Sequence, residues 1–158
     1  MKPLLLLLML LTACSVPQGN YLDPYIEEIA TWQVREGKNC IHQTGIIDME
    51  LANQIRADVF SEIEYESSKS SYVLPTSAEV EADGEAVCIG FAVEIYHRLR
   101  EAGFPDDQIG IMRSINHAVA FVDDGEYRLL TTYRIETLES YWWFKPIIAF
   151  NLFGAWVP

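Results

Sequence analysis

The sequence is poor in cysteine, in basic charge and in long apolar runs, and each shortage excludes something. Three cysteines in 158 residues are too few for a scaffold built on disulfides. Lys and Arg total 11 against 23 Asp and Glu, a formal charge of −12. That balance excludes nucleic acid as a partner and argues against direct adhesion to anionic headgroups. No apolar stretch approaches the roughly 20 residues that a membrane-spanning helix needs. Repeats are absent at every period, which removes solenoids and propellers. What is present is ample apolar material: half the residues are hydrophobic and 12% are aromatic, so one domain of ordinary size can bury a real core.

The chain opens with Met1-Lys2-Pro3, an apolar run from Leu4 to Leu11, and Thr12-Ala13-Cys14. A positive start, a short apolar stretch and small residues before a cut are the parts of an export signal. Leu11-Thr12-Ala13-Cys14 also fits the bacterial lipobox. Residues 1–13 are therefore expected to be a lipoprotein signal peptide, with Cys14 lipidated as the first mature residue. The alternative is an ordinary secretory signal that leaves Cys14 free. Ser15, where an aspartate is absent, resembles the sorting signal that sends Gram-negative lipoproteins to the outer membrane. Residues 14–24, with Pro17, Gly19 and Pro24, read as a tether. The expected address is the cell envelope, at the periplasmic face of the outer membrane, with membrane contact through the acyl chains alone.

Residues 25–158 read as a single domain. Ile26, Ile29, Ala30 and Val34 recur at helical spacing over residues 25–34. Leu51, Ile55, Val59 and Ile63 do so over 48–63, with Asp48 as a cap. Residues 64–84 are polar and irregular and read mostly as loop. The strongest helix covers 87–102, with Cys88, Ala92, Ile95, Leu99 and Ala102 on one face and Gly103 ending it. The period then changes to that of strands at 109–115 and 117–122, and Asp123-Asp124-Gly125 turns into a third strand at 126–133. Residues 145–151 suggest an edge strand. Helices followed by consecutive antiparallel strands predict an α+β fold, with the central helix packed on the sheet.

Cys88 stands at the first turn of that helix, where free amides and the helix dipole favour a thiolate. Position alone fits an inert buried cysteine better, and a Cys40–Cys88 disulfide is a further alternative in an oxidising compartment. A cysteine nucleophile needs an imidazole in reach. Of the three histidines, His97 lies half a turn out of phase with Cys88, and His42 belongs to no pattern. His117 starts a strand that alternation splits into His117, Val119 and Phe121 on one face and Ala118, Ala120 and Val122 on the other. Packed under the helix, that strand brings His117 to Cys88. A zinc site from Cys40, His42, Cys88 and His117 lacks paired ligand spacing. The run Tyr141-Trp142-Trp143-Phe144 reads as core rather than a membrane or stacking patch, and the acidic stretch 79–85 as a solvated loop.

Ala86-Val87-Cys88-Ile89-Gly90-Phe91-Ala92 resembles the nucleophile motif of the transglutaminase-like superfamily, with Ala86 in place of a glycine. Asn116-His117-Ala118 resembles its histidine motif, and residues 124–131 its hairpin ending in the third catalytic residue. More narrowly, the chain is similar to bacterial transglutaminase-like cysteine proteinases. Thr76-Ser77-Ala78-Glu79 resembles their element ahead of the cysteine, and residues 146–151, with Gly154 and Trp156, their C-terminal strand. The resemblance spans about half the chain, residues 72–156. It implies a transglutaminase-like, papain-like fold, with Cys88, His117 and Thr131 as the catalytic set. Thr131 stands where the family has aspartate or asparagine, and Asp123, Asp124 and Glu136 are possible substitutes. Family members that bind calcium carry acidic residues after the cysteine, where this chain has Ile89 and Gly90, so neither metal nor cofactor is expected. The function implied is a lipid-anchored periplasmic cysteine peptidase acting on an envelope protein or peptide. The alternative is an inactive binding module of the same fold.

Overall fold

The computed structural model describes residues 23–36, 47–69 and 73–158. The leader, Cys14 and nearly all of the tether lie outside them, as do Cys40 and His42. No described helix is long and apolar enough to cross a membrane.

Chain order is α1 (Asp23–Glu36), α2 (Met49–Glu62), β1 (Glu64–Tyr65), α3 (Ser77–Asp83), β2 (Glu85–Ala86) and α4 (Cys88–Glu101). The strands β3 (Ile109–Arg113), β4 (Ala118–Asp123), β5 (Tyr127–Leu130), β6 (Ile135–Thr137), β7 (Ile148–Phe150) and β8 (Ala155–Trp156) follow. They form one antiparallel sheet in the order β6-β5-β4-β3-β7-β8, while β1 and β2 make a small parallel pair. The class is α+β, as the pattern of helices before strands predicts.

Helix α4 is the hub. The sheet lies against one side and α2 and α3 against others, so the helix is buried almost all round, from Ile89 through Tyr96 and again at Leu99. Strand alternation divides the sheet's two faces. Ile109, Ile111, Ala118, Ala120, Val122 and Leu130 pack in the same core as α4. Met112, Val119, Phe121, Leu129 and Ala149 pack on the opposite face with Phe144. Even the buried polar groups of α4 are partnered. Glu94, fully buried, accepts hydrogen bonds from Ser77 Oγ and Arg98 Nε, both at 2.6 Å. Arg98 continues to Glu62 at 2.8 Å, so one carboxylate ties together α2, α3 and α4. Tyr96 Oη accepts the Leu152 N–H at 3.1 Å, and burial pushes its phenol far above the ordinary range.

Several expectations are corrected. The segment 64–84 is not loop throughout: it contains β1 and α3. Thr76 and Glu79 form a reciprocal capping box at the start of α3, which offsets the poor apolar periodicity of a seven-residue helix. Residues 145–151 do not form an edge strand, because β7 lies between β3 and β8. Strands β6 and β8 were not foreseen, being three and two residues long, too short for alternation to register. Helix α2 begins as its sequence indicates, with Asp48 Oδ1 accepting the N–H groups of Glu50 and Leu51.

Candidate active site

Cys88 opens α4. Its N-cap, Val87, has no side chain able to cap the helix, so no side chain takes up the first amides. Gly90 explains the closeness of this turn to β2: a Cβ there would stand 2.6 Å from that of Ala86. The Cys88 thiol is half-buried and forms no disulfide with another described residue. The alternative bond to Cys40 falls on a residue outside the described ones.

His117 precedes β4 and lies in the turn from β3. Strand parity assigns it to the face away from α4, and its ring does touch that side. It stands 5.8 Å from the Phe144 ring, edge-on, and 5.5 Å from that of Trp143. Because it sits at the end of the sheet, it also borders the space in front of Cys88. Cys88, His117 and Thr131 line one cavity of about 140 Å³, with Asn116 and Thr132 at its polar side. The apolar wall is a stack of rings: Phe60 lies on Phe91 at 4.8 Å and Tyr65 on Phe91 at 6.4 Å. A second hollow of about 10 Å³ is bordered by Cys88, Arg113, Asn116 and His117, enough for about one water.

Burial pushes the His117 imidazole below its ordinary pKa of 6.5, since desolvation disfavours the cation. The ring is thus neutral at neutral pH and able to accept a proton. No hydrogen bond joins it to Cys88 among the described residues; such bonds are often long before substrate arrives.

Thr131 follows β5, and its hydroxyl donates to the Arg134 carbonyl at 2.6 Å. The oxygen's lone pairs stay available to an imidazole N–H, but no carboxylate takes the third position. Asp123 accepts the Gly125 N–H at 3.0 Å at the far end of β4, roughly 20 Å from His117 by strand rise. Asp124 is paired with Arg128 at 3.2 Å, and Glu136 with Arg134 at 2.7 Å. None of the three substitutes serves His117.

Sequence reasoning missed Arg56. It donates to the carbonyls of Thr131 (3.1 Å) and Thr132 (2.8 Å), fixing the cavity's rim to α2. A charge in an otherwise core-facing helix register was the available signal. The aromatic run is also corrected. Phe144 is core, but Trp142 and Trp143 are 74% and 49% exposed.

No family model and no curated protein matches the chain. Solved structures do. EGTA-treated LapG from Legionella pneumophila superimposes with a TM-score of 0.62 at 20% identity, over 89% of this chain and 79% of that one. The calcium-bound form gives 0.59 at 21% identity, over 89% and 81%. A third LapG structure gives 0.57 at 20%, over 89% and 79%. The chain thus has the transglutaminase-like fold. Cys88 is flanked by Val87 and Ile89, and no group of three or more His, Cys, Asp or Glu among the described residues is arranged to hold a metal.

Proposed function

We propose that this protein is a cysteine hydrolase of transglutaminase-like fold, a peptidase of the cell envelope held to the membrane by lipid on Cys14. The observation that carries the reading is the convergence of Cys88, His117 and Thr131 on one cavity at the start of α4. The fold likeness to LapG, a bacterial cysteine protease, supports the same chemistry. Residues 1–13 serve as the signal peptide and 14–24 as the tether, whose last two residues already belong to α1, where the domain begins.

In the reaction, the Cys88 sulfur attacks a peptide carbonyl carbon as its proton passes to His117. The tetrahedral oxygen is held by the uncapped amides of α4's first turn. The C–N bond then breaks, and the leaving amine takes the proton from His117. Water, deprotonated by His117, attacks the thioester and releases the acid, restoring the thiol. The imidazolium formed midway has no carboxylate beside it. Loss of that partner costs about four orders of magnitude in the serine-protease template, so turnover here is slow.

The test is to incubate the full chain, in detergent, with envelope protein extracts and identify new N-termini by mass spectrometry. Termini that appear with wild type and not with Cys88→Ala support the peptidase. Identical profiles count against it. A second reading, a binding module that no longer turns over, rests on Thr131, whose hydroxyl is spent on the Arg134 carbonyl. Stable capture of one envelope protein by both wild type and Cys88→Ala, without cleavage, is the result it requires.

A further inference from the structure

Strand β3 is buried along its whole length, and it ends in a charge: Ile109, Gly110, Ile111, Met112, Arg113. Alternation puts Arg113 on the side of Ile109 and Ile111, which pack in the same core as α4. Its guanidinium is thereby carried under the start of α4. There it shares with Cys88 and His117 the walls of the one-water hollow. A hollow that small leaves no room for a bulk-solvent screen between its walls.

The side chain is held firmly. Its Nη1 meets Glu28 Oε2 of α1 at 3.1 Å, and its Cζ lies 4.7 Å above the Tyr25 ring. Only 5% of the Arg113 side chain is exposed, against 22% for Glu28. The other oxygen of Glu28 accepts the Leu74 N–H at 2.7 Å. A buried arginine usually answers to a structural carboxylate, and Glu28 is one. Its position against the nucleophile goes beyond that need: a bridge between α1 and the sheet does not require a cation beside the thiol.

We propose that Arg113 is the cation that stabilises the Cys88 thiolate, and that Glu28 tempers its effect. The inference rests on the reading of Cys88 as a nucleophile. Among the described residues, the other titratable groups that border the hollows at Cys88 are His117 and Tyr65, and Arg56 of α2, behind the rim, is engaged with the Thr131 and Thr132 carbonyls. Upstream of α4, Glu85 is exposed and Asp83 is paired with Lys69 at 2.6 Å. Arg113 therefore supplies positive charge to the thiol from below while α4 supplies its amide dipoles from behind.

Two variants of opposite sign test this. The full chain, in detergent, is alkylated with iodoacetamide across pH, and Cys88 labelling is read by mass spectrometry. Arg113→Gln is expected to raise the apparent thiol pKa by about one unit and slow labelling at pH 7 about tenfold. Glu28→Gln keeps the carbonyl that accepts from Leu74 and removes only the negative charge. It is expected to lower the pKa and speed labelling. Unchanged labelling in a folded Arg113→Gln protein overturns the proposal. Should that variant fail to fold, Glu28→Gln decides alone, and an unchanged or slower rate overturns it. If wild-type Cys88 titrates like free cysteine yet both variants still shift it oppositely, the role of Arg113 stands and the hydrolase reading falls.

Discussion

The His117 ring stands 5.5 Å from the Trp143 ring, tilted by 42°. One of the two residues is the candidate base, and the other is half exposed on the surface. Trp143 therefore covers part of one side of the imidazole, next to the buried Phe144, and is not among the residues that line the cavity in front of Cys88.

Trp143→Ala is expected to move the His117 pKa back up towards 6.5, because water returns to the ring and relieves the desolvation that lowers it. A proton NMR titration of the imidazole reads this directly. A pKa that stays low, or falls further, shows that Trp143 is not what buries the ring.

The same shift makes stability depend on pH. The native pKa of His117 lies below the unfolded value of about 6.5, so in that window the unfolded chain binds more protons. Stability is complete above about pH 6.5 and is lost as pH falls towards the native pKa. Urea midpoints at pH 7.5 and 5.5 are expected to differ more for wild type than for His117→Gln. Equal differences contradict the sign.

Thr131→Asp puts a carboxylate on the cavity that His117 also lines, in exchange for the hydroxyl's bond to the Arg134 carbonyl. Cleavage, once a substrate peptide is identified, is expected to rise by on the order of tenfold or more. The His117 pKa is expected to rise as well. A folded variant with no gain removes Thr131 from the catalytic set.

Arg56→Met takes away both bonds that hold the rim of the cavity to α2. Hydrogen bonds from a charged donor are worth about 1.5–3 kcal/mol each, and the stem's packing is largely kept. A loss of about 2–4 kcal/mol by chemical denaturation is expected. A loss below about 0.5 kcal/mol places the rim's order elsewhere.

Glu94→Ala leaves Arg98 without one of its two carboxylates and Ser77 without its acceptor. Breaking a buried pair from one side costs about 3–5 kcal/mol. Thermal unfolding checks this, and a near-neutral effect contradicts the view that Glu94 pins α2 and α3 to the hub.

How much of this was readable in advance follows from periodicity and reach. Helix α4 carries a strong apolar pattern and a stop at Gly103, so its place and Cys88's position were legible. Alternation in β4 is regular, but it puts His117 on the face away from α4; the residue borders the Cys88 cavity because it lies at the end of the sheet, before the strand begins. The rest depends on partners distant in sequence. Arg56 meets residues 75 and 76 positions away, and Trp143 meets a ring 26 positions back; no local spacing encodes either contact. The run Tyr141-Trp142-Trp143-Phe144 was misread as core because hydrophobicity alone does not say which rings face water. Phe144 is buried against the sheet and Tyr141 packs partly beside it, while Trp142 and Trp143 face water. Arg113 was not singled out, because the strand was read as running on to residue 115; that it ends β3 below α4 needed the strand's true end and the location of α4.

The most direct test of the central claim is the pH profile of Cys88 alkylation in wild type and His117→Ala. If the two residues act as a nucleophile and its base, wild-type Cys88 reacts fast with an apparent pKa well below about 8.5, and His117→Ala raises it. A slow Cys88 with an ordinary pKa, indifferent to His117→Ala, contradicts the account.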